Sequence, residues 1–266
     1  MTHHGSLRGL AATFLYGAAA LLWVVGEAAA DEAKPSSALA DEWSMSISPY
    51  AWAAGLDGKV APFPGAPEAD VDASFSDILD DLDLGAMAIV ELRYKRFAGY
   101  MDLVYTEISA DQDTPLGRRH DDVELENEVF IGTFGGAYRP IETDHASLDL
   151  LVGIRAWSVD TDLDLEGGRR PDEEFEHNEN WVDPMIGLHG RYQFENGIFL
   201  TNLMQIGGFG VGSDLTWDVF GAVGYQFNDS ISAIAGYRHL DVDYKHNGFV
   251  FDVDLSGPVI GMTITF

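Results

Sequence analysis

The stretch from Phe249 to Phe266, FVFDVDLSGPVIGMTITF, limits the fold more than any other part of the chain. From Pro258 onward, Pro258, Ile260, Met262, Ile264 and Phe266 fall on one face of a strand, and Val259, Gly261, Thr263 and Thr265 on the other. One face is wholly apolar and the other mostly small, with no charge on either. Such a strand suits hydrocarbon outside and a narrow space inside. Hydrocarbon does not tolerate free sheet edges, so this strand has to pair with the first one and close the sheet. The expectation is an all-β, transmembrane, antiparallel up-and-down β-barrel.

A hydrophobic fraction of 46% neither supports nor opposes this, because a barrel carries its membrane signal in alternation. The one continuous apolar run lies between Gly9 and Gly26, preceded by Arg8 and followed by Ala28, Ala29 and Ala30. That order predicts a secretory signal over residues 1–30, cleaved near Ala30. An N-terminal anchor helix is the other reading, since ~18 apolar residues just suffice to span. Residues 31–42 are polar and read as a flexible periplasmic segment, and 43–266 as the barrel. With no cysteine, the chain has neither a disulfide framework nor a thiolate for catalysis or metal binding.

Formal charge is −29, and cleavage leaves 14 basic against 43 acidic residues, which excludes nucleic acid as a partner. Solvated loops and a polar lumen account for such an excess. So do outer loops that share divalent cations with lipopolysaccharide.

The first strand is expected from Trp43 to Trp52, with odd positions toward lipid and Pro49 marking a bulge or bend. Prolines 62, 64 and 67 then open a long loop containing one helical signal, Ser76 to Leu84, with Ser76 as its cap. Further strands are expected at 86–95, 97–109, 122–138, 146–165, 181–194, 198–208, 215–227, 231–244 and 249–266. In the fourth, Val129, Ile131 and Thr133 read as outward, and Glu124, Glu126, Glu128 and Phe130 as sharing the other face. Ten strands is an even number, as bacterial barrels require, although eight or twelve also fit the boundaries. Short connections at 96, 139–145, 195–197 and 228–230 read as periplasmic turns, and the long ones as outer loops.

Aromatic residues sort by strand end into two expected interfacial girdles. Trp43, Tyr94, Phe97, Tyr138, Tyr192, Phe194, Phe199, Tyr225, Phe227 and Phe266 fall at the periplasmic end, and Trp52, Tyr105, Trp157, Trp181, Trp217 and Tyr244 at the outer end. A weak repeat relates Gly153–Asp160 to Gly236–Asp243. In both copies the apolar phase changes after the arginine, which suggests a bulge there.

Arginines 93, 155, 191 and 238 lie mid-strand, where a lipid-facing Arg costs ~2–4 kcal/mol. They are expected in the lumen with Glu91, Asp102, Glu128, Asp149, Asp183 and Asp218, either as a rigid charge network filling a narrow barrel or as the constriction of a pore. The series Asp160, Asp162, Asp164 and the pairs Asp241/Asp243 and Asp252/Asp254 suggest cation ligands, since alternate strand residues share a face, but they lack the glycine and terminal glutamate of a calcium-binding loop. Solvated strand ends explain them better. His120, Asp121, Asp122, His177 and His239 are the nearest approach to hydrolytic chemistry, but no nucleophile motif or metal-binding His pair accompanies them. The reading is therefore of a chain that is not an enzyme and needs no cofactor.

The segments Ser48–Trp52, Asp72–Leu79, Trp181–Pro184, Ile206–Asp214, Gly236–Arg238 and Leu255–Pro258 together resemble an uncharacterised family of proteobacterial outer-membrane β-barrel proteins. Small barrels of the OmpW and opacity-protein kind are more distantly similar, at the level of fold. The resemblance implies a barrel in the outer membrane of a Gram-negative bacterium. Its partners would be membrane lipids, lipopolysaccharide and, through the terminal strand with Ile260, Met262, Ile264 and Phe266, the barrel assembly machinery. It carries no substrate or catalytic residue across.

Overall fold

The computed structural model describes residues 43–113, 122–166 and 173–266. The expected signal, the 31–42 segment, His120 and Asp121 lie outside them. Ten antiparallel strands form the barrel: β1 (Trp43–Trp52), β4 (Leu82–Tyr94), β5 (Phe97–Asp113), β6 (Asp122–Glu142), β7 (Ala146–Glu166), β8 (Glu173–Gln193), β9 (Ile198–Gly207), β10 (Leu215–Asn228), β11 (Ile231–His246) and β12 (Phe249–Thr265). Each pairs with the next, and β1 closes on β12 through Ile47↔Ile264 and Ala51↔Ile260. Ile260, Met262 and Phe266 are 63%, 44% and 72% exposed, so the terminal strand presents the apolar face its sequence predicts.

The 53–81 region is more ordered than its sequence suggests. A hairpin of β2 (Gly55–Ala61) and β3 (Ala69–Ala73) adds to the outer half of β12. It does so because β1 and β2 are one strand in two pieces: Trp52 pairs with Val259, Ala53 N donates to Pro258 O at 2.9 Å, and Gly55 pairs with Ser256. At the crossing a Cβ on Gly257 would stand 1.9 Å from Ala53 O, so only glycine fits. Pairing between β1 and β4 stops at Pro49↔Ala88, at the proline expected to bend the strand. In the hairpin turn, Phe63 stacks on Phe175 of β8 at 5.2 Å, across the outer mouth.

Helix α1 is shorter than expected, Phe75–Asp80, and its cap is Ser74 rather than Ser76. Asp77 decides this: it stands three residues after Ser74, accepts from Ser74 N at 2.9 Å, and returns its own N–H to the serine Oγ at 3.4 Å.

The bulges expected after Arg155 and Arg238 are not there. Register runs unbroken through Thr133↔Arg155, Ile131↔Trp157 and Val129↔Val159, and through Arg238↔Gly257 to Val242↔Val253. Inward positions stay inward and change from charged to apolar. For the same reason the phase expected for β6 is reversed. Ile131 and Thr133 are 3% and 1% exposed and point into the barrel, while Phe134 points out and Glu128 lies on the outer face.

Candidate functional site

The lumen is filled in layers. Near the periplasmic end Asp149 collects two guanidinium groups and an imidazole. Arg139 reaches its two oxygens at 2.8 and 2.9 Å in a bidentate grip, Arg93 at 3.3 and 3.1 Å, and His189 Nδ1 stands 3.4 Å away. Glu91 holds the other side of Arg93 at 2.9 and 3.1 Å. Arg191 joins no carboxylate among the described residues. It lies flat over Phe199 at 3.4 Å and donates to Gln193 and Gln226 at 3.0 and 2.9 Å. Gly224 makes room for that ring, since a Cβ there would meet Phe199 at 2.1 Å.

At mid-barrel the hub is Arg238. Its Nη2 donates to Asp102 at 2.8 Å and Asp218 at 2.7 Å, its Nε to Asp218 at 3.1 Å and its Nη1 to Tyr50 at 2.9 Å. The Tyr50 hydroxyl donates in turn to Asp102 at 2.7 Å. Arg155 meets Asp218 at 2.7 Å, Gln205 at 3.1 Å and Thr133 at 2.9 Å, which joins strands on opposite walls. Arg155 and Asp218 have no solvent exposure, so their pairing has to offset a desolvation cost of several kcal/mol per ion. Below this layer a cavity of about 50 Å³ remains, bordered by Tyr50, Asp102, Arg238 and Phe220. It has room for a few waters.

Asp183 departs from the expected charge network. Its carboxylate accepts from Trp157 Nε1 at 3.1 Å and from Ser213 N and Oγ at 2.6 and 2.8 Å, which pins the β9–β10 loop against β8. Above it the lumen is apolar. Trp181 stacks on Tyr244 at 4.0 Å and on Trp157 at 5.3 Å, and Phe249, Phe251, Leu240, Val242 and Val253 pack round them. Trp52, Trp157, Trp181 and Tyr244, expected in an outer girdle, form this plug instead, because alternate positions after an inward arginine also face in. Tyr105 and Trp217 remain on the outside, Trp217 stacked on His239 at 4.5 Å. A periplasmic girdle forms, with Trp43, Phe97, Tyr138, Phe194, Tyr225, Phe227 and Phe266 exposed, but Phe199, expected in it, faces inward and is buried beneath Arg191.

Glu128 belongs to a different surface. The outer wall above the apolar band is acidic, and its carboxylates face one another across strands: Glu107 opposite Glu128, Glu128 opposite Asp160, Glu126 opposite Asp162, Asp241 opposite Asp254 and Asp254 opposite Asp57. Carboxylate oxygens of Glu107, Glu126 and Glu128 lie within 4.8 Å of one another. Like charges directly opposite are destabilising. Two of these groups take up protons more readily as a result: Glu126, through desolvation and then Glu107 and Asp162, and Asp241, pushed up to about 7 by its own burial and then by Asp254.

Of the ten residues expected in the lumen, all but Glu128 lie inside the barrel. Their partners Arg139, Tyr50, Gln205 and Thr133 escape sequence reasoning, and so does the plug. Arg139 is hidden in a segment that reads as turn, and the plug is signalled only by the phase change.

No protein-family model matches the chain, and no curated protein matches its sequence. Solved structures do. The outer membrane protease OmpT from Escherichia coli is 11% identical with a TM-score of 0.51, over 85% of this chain and 98% of its own. The attachment invasion locus protein Ail of Yersinia pestis is 12% identical with a TM-score of 0.39, over 85% and 99%. Neisserial surface protein A is 15% identical with a TM-score of 0.31, over 84% and 97%. What this chain shares with the first of them is the fold of an outer-membrane β-barrel.

Proposed function

We propose that the chain is an integral outer-membrane barrel that does not conduct, in which the lumen is a core and the acidic outer wall is the working surface. The filled lumen carries this reading. Arg155, Asp183 and Asp218 are 0% exposed, Trp157 is 2% and Trp181 is 6%. A solute route would have to pull Arg155 and Arg238 away from Asp102, Asp218 and Tyr50 and then displace a stack of three aromatic rings. The alternative, a narrow charge-lined pore or small-solute barrel, needs that rearrangement.

The wall above the apolar band is where a partner fits. Its opposed carboxylates are relieved by any divalent cation they share with phosphate groups of the surrounding lipopolysaccharide. Recognition by the assembly machinery falls to the terminal strand, whose Ile260, Met262 and Phe266 face lipid. The test is single-channel recording from the refolded protein in a planar bilayer. A silent bilayer containing heat-modifiable, folded barrel is the expected result, and discrete, ion-selective openings would overturn the proposal.

A further inference from the structure

Above the apolar band the wall of the barrel has an open edge. β8 extends outward to Glu173, but its neighbour β9 stops at Gly207, opposite Met185. The loop after β9 covers a little more: Gly208 N donates to Pro184 O at 3.2 Å, and a Cβ on Gly212 would lie 2.7 Å from Val182 O. Beyond Val182, among the described residues, no strand pairs with this side of β8. On its other side the register with β7 is unbroken from Trp157↔Trp181 to Leu165↔Glu173, so neither proline nor bulge interrupts the edge.

Alternation decides which groups the edge offers. Pro184 turns its carbonyl toward β9, and in an antiparallel strand every second residue turns N–H and C=O the same way. Glu176, Asn178 and Asn180 therefore present both groups on the open side, and their side chains are exposed on the outer face. That face is acidic. A groove of about 490 Å³ beside the edge is bordered by Glu126, Glu128, Asp160, Asp162 and Glu176, and no lysine or arginine lines it. The inner face of the edge carries Phe175 and Trp181 near its two ends. Hydrocarbon would force such an edge to close, but at this height water satisfies it until a partner arrives.

We propose that the upper edge of β8 takes up an extended polypeptide segment as an added antiparallel strand, with basic residues at alternate positions over the groove and apolar residues between them. Main-chain bonds to residues 176, 178 and 180 supply the affinity, and the acids select the side chains. A second copy of this chain is a poor occupant, because pairing edge to edge would bring two acidic grooves together. The site does not depend on whether the lumen conducts.

The experiment titrates the full refolded barrel, in micelles free of lipopolysaccharide, into a fluorescein-labelled peptide of three alternating lysines and valines. Anisotropy is read at near-physiological ionic strength, where diffuse attraction is screened. Saturable binding is expected. In the antiparallel register each lysine stands opposite an outward residue of β8 and turns its backbone N–H to the edge, while each valine turns its N–H away. Methylating the lysine backbone nitrogens should therefore weaken binding at least ~10-fold, and methylating the valine nitrogens should leave it unchanged. Mere attraction to an acidic wall would not distinguish the two peptides. Asn178→Pro removes a donor from the open edge and no bond to β7, and should weaken binding ~3–10-fold. The methylated peptides act on the unaltered protein and are decisive whether or not that variant folds. Glu176→Lys should weaken binding ~5-fold, whereas Asp254→Lys, on β12 away from this edge, should leave it unchanged. The proposal is overturned by absence of saturable binding, by equal or reversed responses to the two methylated peptides, by full binding to heat-modifiable Asn178→Pro barrels, or by a loss in Asp254→Lys that equals the loss in Glu176→Lys.

Discussion

The half of the barrel that faces lipid and the half that stands above it are built on the same strands with opposite chemistry. Along β7 the lower half turns Val152 and Ile154 outward, 64% and 47% exposed, and keeps Asp149 and Arg155 inside. A few residues further on, with no break in register, Trp157 and Val159 face in and Asp160 and Asp162 face out. β11 and β12 repeat the change, from Arg238 inside to Leu240 and Val242 inside, and from Ile260 outside to Asp254 outside. Below the boundary the solvent is hydrocarbon, so charge is driven inward. Above it the solvent is water, and the wall reverts to the ordinary rule of apolar in, polar out. The boundary is therefore written into the strands, near Ile154, Val182, Tyr105 and Pro258.

The largest effect should come from breaking the ionic half. Asp218→Ala strands Arg155 and Arg238 in a dry layer and is expected to cost about 3–5 kcal/mol, read from urea unfolding in micelles. In the apolar half, Trp181→Ala removes the middle ring of the stack, for a loss of about 3–5 kcal/mol by the same assay. Its distinguishing mark is a cavity that a small aromatic ligand can refill, which Asp218→Ala should not show.

Arginine placed on the outside of each half gives the sharpest contrast. Leu150→Arg, outward and well inside the apolar band, faces hydrocarbon and should cost ~2–4 kcal/mol, whereas Ser158→Arg, above the boundary and beside Asp160, should cost ~0–1 kcal/mol. Equal costs would erase the boundary.

The smallest effect is a pH dependence confined to the upper wall. Asp241, held up to about 7 by burial and by Asp254, binds more protons folded than unfolded between the ordinary carboxylate range and about 7. Its contribution is therefore present at low pH and lost as pH rises through 7. Melting temperature should fall slightly from pH 5.5 to 8, and Asp241→Asn should flatten that slope.

Much of the lower half is legible in the sequence alone, because the penalty for a charge in lipid tells which way Arg93, Arg155, Arg191 and Arg238 must point. Which acid each one meets is not legible. Arg155 finds Asp218 across the lumen, and Arg191 finds no acid among the described residues, since partners are set by how the register wraps round the barrel. Trp52, Trp157, Trp181 and Tyr244 mislead because strand-end aromatics suit an interface equally well from outside or as a plug inside. The phase change after Arg155 and Arg238 holds the answer, once read as a change of solvent instead of a bulge.

The most direct test of the two-halves account is a spin-label scan of β7 from residue 152 to 160 in lipid vesicles, reading collision with oxygen and with a water-soluble nickel chelate. Labels at 152 and 154 should collide with oxygen, labels at 158 and 160 with nickel, and labels at 155, 157 and 159 with neither. Nickel reaching the inward positions would mean a water-filled lumen, and oxygen dominating at 158 and 160 would move the boundary; either result would contradict the account.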